Sequence, residues 1–140
     1  MKKYEDEGIK LFLEEYNCAQ SVFAALADKI GFNKEDALAI AAPFGGGIAR
    51  SRKTCGALTG GLMAIGYKNR HLNKAEIYEI SRAYMNDFEN LFNSTECRVL
   101  LNFIEDDSII PSPRTKEYYE ERPCVHIVHK AIELVEKYLK

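Results

Sequence analysis

The chain has no tryptophan, only four prolines and no Cys-x-x-Cys pair in its 140 residues. Without a Cys-x-x-Cys pair, neither a zinc ribbon nor a thioredoxin-type motif can be read. Four cysteines are also far too few for a disulfide-stapled scaffold. Charge of one sign is lacking as well. Nineteen Lys and Arg face twenty-one Asp and Glu, a formal net charge of −2, so there is no electrostatic footprint for nucleic acid or an anionic membrane. The uncharged stretch from Ala37 to Ala49 is broken by Pro43 and by Gly45, Gly46 and Gly47, and is too short to span a bilayer. The start, Met1-Lys2-Lys3-Tyr4-Glu5-Asp6-Glu7, has acids where the apolar centre of a signal peptide would lie. A cytoplasmic location is therefore expected, where a stable structural disulfide is the less common fate of a cysteine. Strand-like alternation, internal repeats and low-complexity tracts are missing too.

What is present is a helical pattern with 46% apolar residues, enough for one compact domain over 1–140. The expected fold is all-α, a bundle of about five to seven helices. A first helix spans Lys2 to Glu15. Asn17 caps a second, Cys18 to Ile30, which stops at Gly31. Asn33 opens a third, which ends at Pro43. Phe44 to Lys53, holding Gly45-Gly46-Gly47 with Arg50, Arg52 and Lys53, is the clearest loop. Thr54 reads as the cap of a helix from Cys55 to about Tyr67. On that helix Gly56, Gly60 and Ala64 form a ridge with almost no side chain, so a neighbouring helix can come close. Asn73 and Glu76 make a capping box for the longest helix, Lys74 to about Phe92. A short helix, Glu96 to Phe103, follows the Ser94-Thr95 cap. Glu105 to Glu121 reads as irregular, and Pro123 as the first residue of a last helix ending near Tyr138.

The four cysteines, Cys18, Cys55, Cys97 and Cys124, are 37, 42 and 27 positions apart. Only the fold can bring them together. Each nonetheless falls in the first turn of an expected helix, where unpaired N–H groups and the helix dipole favour a negative charge. The thiolate is the form that attacks disulfides and binds metals. Arg50, Arg52 and Lys53 lie just upstream of Cys55, and Arg98 and Arg122 adjoin Cys97 and Cys124, which makes Cys55 the expected redox nucleophile.

The segment Thr54-Cys55-Gly56-Ala57-Leu58-Thr59-Gly60-Gly61 resembles the core of the redox-active protein family C_GCAxxG_C_C. The resemblance extends to Asn17-Cys18-Ala19-Gln20, the glycine loop before Cys55, Glu96-Cys97-Arg98 and Pro123-Cys124, in the same order along nearly the whole chain. It implies that the four cysteines act as a set. A related module in split-Soret cytochromes is associated with a [2Fe–2S] centre, which implies cluster ligation as one use of the set. No haem-attachment Cys-x-x-Cys-His is present.

Three functions follow as expectations. In the first, Cys18, Cys55, Cys97 and Cys124 hold one metal centre, [2Fe–2S] or Zn, for electron transfer to an unknown redox partner. In the second, Cys55 runs metal-free thiol–disulfide exchange and another cysteine resolves it. In the third, the chain is a helical binding or assembly module, with the glycine ridge as the contact of a homodimer. Gly45, Gly46, Gly47, Arg50 and Arg52 could also bind an anion, although the loop lacks the Lys-Ser/Thr ending of a nucleotide site. A tight turn that brings Cys55 beside another cysteine is the simpler use of those glycines.

Overall fold

The computed structural model describes residues 3–102 and 106–139. Lys2, Phe103 and Glu105, where the sequence sets element limits, lie outside the described residues. Among those described are eight α-helices and no strand: α1 (Lys3–Leu13), α2 (Cys18–Ile30), α3 (Lys34–Ala41), α4 (Gly56–Lys68), α5 (Lys74–Phe92), α6 (Cys97–Leu100), α7 (Lys116–Glu121) and α8 (Cys124–Glu136). A short 3-10 turn, Ala42–Phe44, follows α3. The all-α reading holds, with one helix more than its upper count.

Most helix starts follow from local chemistry. The Asn17 side chain accepts from Gln20 N at 2.8 Å, and the Gln20 side chain accepts from Asn17 N at 3.0 Å. This reciprocal box satisfies two of the orphan donors at the start of α2. Asn73 and Glu76 do the same for α5. At the far end of α2, Gly31 takes φ 76°, the left-handed conformation that ends a helix cheaply only at glycine. The additional helix is α7, inside the segment expected to be irregular. Thr115 caps it, accepting from Tyr118 N at 3.2 Å.

Three helix starts shift by one residue. The short helix expected from Glu96 starts at Cys97, with Glu96 as its cap residue. Thr54 does not cap α4. It pairs with Glu96 as an isolated antiparallel bridge, and Cys55 takes the cap position. Pro123 is likewise the cap residue of α8, not its first helical residue.

Helix α2 lies in the middle, touched by α1, α3, α4 and α8. Its Ala19, Val22 and Leu26 are fully buried, as are Leu58, Ala64 and Ile65 of α4 and Val128, Ile132 and Val135 of α8. The glycine ridge of α4 is filled within the chain. A Cβ at Gly60 would stand 2.6 Å from Ala19 O, and one at Gly56 2.9 Å from Ala19 N. This close approach is the physical reason for glycine there, and it corrects the reading of the ridge as a dimer contact. No described helix is long and apolar enough to cross a membrane.

Candidate functional site

All four cysteines sit at helix starts. Cys18, Cys97 and Cys124 are the first residues of α2, α6 and α8, and Cys55 is the cap residue of α4. All are free thiols; Cys18 is half-buried and the other three are buried. They line one cavity of about 50 Å³, whose wall also includes Arg52, Arg114 and Arg122. The fold thus brings together four residues that are scattered along the chain.

Two different devices assemble them. Cys55 and Cys97 are held by the bridge between Thr54 and Glu96: Cys55 N donates to Thr95 O at 2.8 Å and Cys97 N to Lys53 O at 2.6 Å. Cys18 and Cys124 meet because α2 and α8 pack with their N-terminal ends at the same place. The Cys18 and Cys124 thiols act on each other as a pair, so that Cys18 is raised and Cys124 lowered.

The glycine loop closes the cavity from outside. Five successive residues, Gly46 through Arg50, have positive φ between 49° and 73°, as does Arg52 at 62°. For non-glycine residues this region costs about 1–2 kcal/mol each, so the turn is held by what surrounds it. Arg52 N donates to Gly46 O at 3.0 Å and Lys53 N to Gly47 O at 2.9 Å. A Cβ at Gly47 would stand 2.6 Å from the Cys97 Cβ, so glycine is what lets the loop lie against that cysteine. Gly45 and Gly46 line a larger outer cleft, and Gly46 and Gly47 line the cysteine cavity.

The turn also redirects the basic residues. The sequence places Arg50, Arg52 and Lys53 next to Cys55, yet Arg52 is buried with its Nη1 on Cys97 Sγ at 3.7 Å. Arg50 turns outward to Ser108, to Ser112 Oγ at 2.9 Å and to Asp106 at 3.3 Å. The expected electropositive surroundings of Cys55 are therefore corrected. Burial pushes its thiol up to about 12, and the backbone N–H groups of Ala57 and Leu58 only partly offset this. Cys97 is also raised by burial, less the pull of Arg52. Cys124 alone is lowered, by its interaction with the Cys18 thiol first and then by Arg122, Arg114 and Arg52, against burial.

Arg114 and Tyr118 take part without a sequence signal. Arg114 Nη1 donates to Phe12 O at 2.7 Å and Nη2 to Tyr16 O at 2.9 Å, one carbonyl in the last turn of α1 and one just beyond it. Its guanidinium lies 4.5 Å from the Phe12 ring centre and 4.8 Å from that of Tyr118. Nothing local marks an arginine ten residues before Cys124 as its neighbour.

Among the described residues, no three His, Cys, Asp or Glu side chains form a group that could hold a metal ion. The four sulfurs share a cavity, but as placed they do not fit a closed thiolate ligand set. His126 is exposed, edge-on to Phe92, and neither it nor His129 lines the cavity.

The family described as "Putative redox-active protein (C_GCAxxG_C_C)" matches residues 16–138, a span that contains all four cysteines and the glycine loop. An uncharacterized protein of Archaeoglobus fulgidus is similar at 28% identity, covering 99% of this chain and 95% of that protein. No solved structure matches. With its cysteine cavity inside the matched span, the chain belongs to the redox-active protein family C_GCAxxG_C_C.

Proposed function

We propose that this protein is a thiol–disulfide redox protein in which Cys124 is the attacking thiolate and Cys18 the second thiol of the pair. The observation that carries this reading is that Cys18 and Cys124, the first residues of α2 and α8, line one cavity together with Arg122, Arg114 and Arg52, which lower Cys124. Thiolate character sets which cysteine attacks a disulfide. Cys124 opens a 13-residue helix, whose N-terminal N–H groups favour the anion further. Cys18, raised by its partner thiol and by burial, keeps its proton. Cys55 and Cys97, both raised by burial, form a second and less reactive pair behind the first.

A redox titration of the purified protein tests this. The expected result is a two-electron couple that disappears in Cys124→Ser and in Cys18→Ser and persists in Cys55→Ser. A couple lost only with Cys55 would transfer the nucleophile to that residue.

A second reading is kept because all four cysteines line one cavity. Four thiolates there would suit [2Fe–2S] or Zn, with side-chain movement to close the ligand set, and the three arginines would offset its charge. Anaerobic purification with iron, sulfide and zinc analysis separates the two readings. Stoichiometric metal that is lost on substituting any one of the four cysteines would favour the metal centre.

A further inference from the structure

Outside the cysteine cavity lies a larger cleft of about 360 Å³, within the range of small-molecule sites. The two spaces share a wall made of Asn17, Gly46, Arg52, Arg114, Tyr118 and Arg122. Arg50 lines the outer cleft as well, so four arginines face it, against Glu15 in the lining and Asp106 paired with Arg50. An excess of positive charge therefore surrounds the face of the cysteine cavity that adjoins this larger cleft.

Arg52 supplies the independent observation. It is 3% exposed, and its Nε donates to Asp106 O at 2.9 Å while Nη1 contacts Cys97 Sγ. Its Nη2 is buried and has no hydrogen-bond partner among the described residues. A buried guanidinium donor left unpaired is costly, and a carboxylate oxygen is an acceptor that matches the free Nη2 in charge. Because Arg52 lines both spaces, a carboxylate held there leaves the rest of the ligand beside the cysteines.

We propose that the cleft is the binding site of a small disulfide that carries a carboxylate at each end, with Arg52 and Arg122 holding the carboxylate nearer the cysteines and Arg50 facing the outer one. This rests on the thiol–disulfide reading above. The size of the cleft limits the ligand to small molecules, on the order of a dozen non-hydrogen atoms. The Cys124 thiolate attacks one sulfur of R–S–S–R, forming a Cys124–S–S–R bond and releasing RS⁻. The Cys18 sulfur then attacks the Cys124 sulfur, giving the Cys18–Cys124 disulfide and a second RS⁻, which takes the Cys18 proton and leaves as RSH. The protein pair loses two electrons and the substrate disulfide gains them.

The test uses the reduced wild-type protein and two charge-opposed ligand pairs. Suberate and hexamethylenediamine mimic the shapes of dithiodipropionate and cystamine without a reactive bond. In calorimetric titration suberate is expected to bind and hexamethylenediamine not to. In rapid mixing, dithiodipropionate is expected to oxidise the protein roughly tenfold or more faster than cystamine. Arg122→Gln and Arg50→Gln should each pull that ratio toward one, while Arg122→Lys, which keeps the charge, should hold most of it. The ratio cancels any change in Cys124 reactivity, and thermal melts identify a variant that has lost its fold. Absence of suberate binding together with equal rates for the two disulfides would overturn the cleft site and leave the cysteine pair intact. Suberate binding with no exchange by either disulfide would overturn the disulfide substrate through failure of the thiol pair itself.

Discussion

Cys18 and Cys124 are 106 residues apart in the chain, yet each is the first residue of its helix and both line one cavity. The two thiols act on each other unequally: Cys124 raises Cys18, while Cys18 and the arginines beside Cys124 lower Cys124. Of the pair, Cys124 is the one that gives up its proton more readily.

This inequality predicts the order of alkylation. Treated with iodoacetamide at graded pH, the reduced protein should be modified first at Cys124, with a midpoint below the ordinary thiol value. Cys55, pushed up to about 12, should stay unmodified through the neutral and mildly alkaline range. Peptide mapping reads the order, and labelling of Cys55 ahead of Cys124 would contradict the assignment.

Removing a charge from the site should slow Cys124. Arg122→Gln is expected to lower its alkylation rate at neutral pH about threefold to tenfold, the effect of losing one nearby cation. Arg122→Lys should restore most of the rate. No difference between the two variants would mean that the Arg122 charge does not act on Cys124.

Much of this site was legible in the sequence. Asn17, Asn33 and Asn73 identify three helix starts through side-chain caps that need only local chain geometry. The placement of the cysteines at helix starts followed from Asn17, Thr54, the Ser94-Thr95 pair and Pro123, although Cys55 itself takes the cap position and Glu96 caps α6. The assignment of the arginines did not follow, because proximity in sequence was undone by the left-handed turn from Gly46 to Arg50. The bridge between Thr54 and Glu96 then delivers Arg52 to Cys97 and not to Cys55. Arg114 reaches the site by lying across the end of α1, a tertiary contact with no local mark. Helix α7 was missed because Pro111, Pro113 and the acidic residues before them read as a loop, while a single Thr115 cap starts one and a half turns of helix.

The close contact of α2 with α4 predicts opposite effects at two glycines of one helix. Gly60→Ala places a methyl 2.6 Å from the Ala19 carbonyl oxygen and should destabilise the fold by about 1–3 kcal/mol through overpacking against backbone. Gly66→Ala meets nothing within 4 Å and should stabilise it by about 0.5–1 kcal/mol through helix propensity. Urea unfolding of the two variants gives both values, and equal effects would be inconsistent with the packing described.

Glu136 predicts a pH dependence of stability far from the cysteines. Burial and the neighbouring carboxyl of the buried Glu5 raise it from 4.5 to about 7, against the pull of Lys29 at 3.8 Å. The folded state therefore binds more protons than the unfolded one between those values, and this contribution to stability falls as pH rises through that window. The urea midpoint should be lower at about pH 8 than at about pH 5, and Glu136→Gln should flatten the difference. An unchanged slope in Glu136→Gln would assign the dependence to another group.

The most direct test of the redox account is the identity of the first disulfide formed. The fully reduced, metal-free protein is oxidised with one equivalent of a small disulfide, its remaining thiols are blocked, and the linked peptides are mapped by mass spectrometry. The account predicts a Cys18–Cys124 bond, with Cys55 and Cys97 recovered as blocked thiols. A Cys55–Cys97 bond as the first product, or no bond at all in protein that binds stoichiometric iron through all four cysteines, would contradict it.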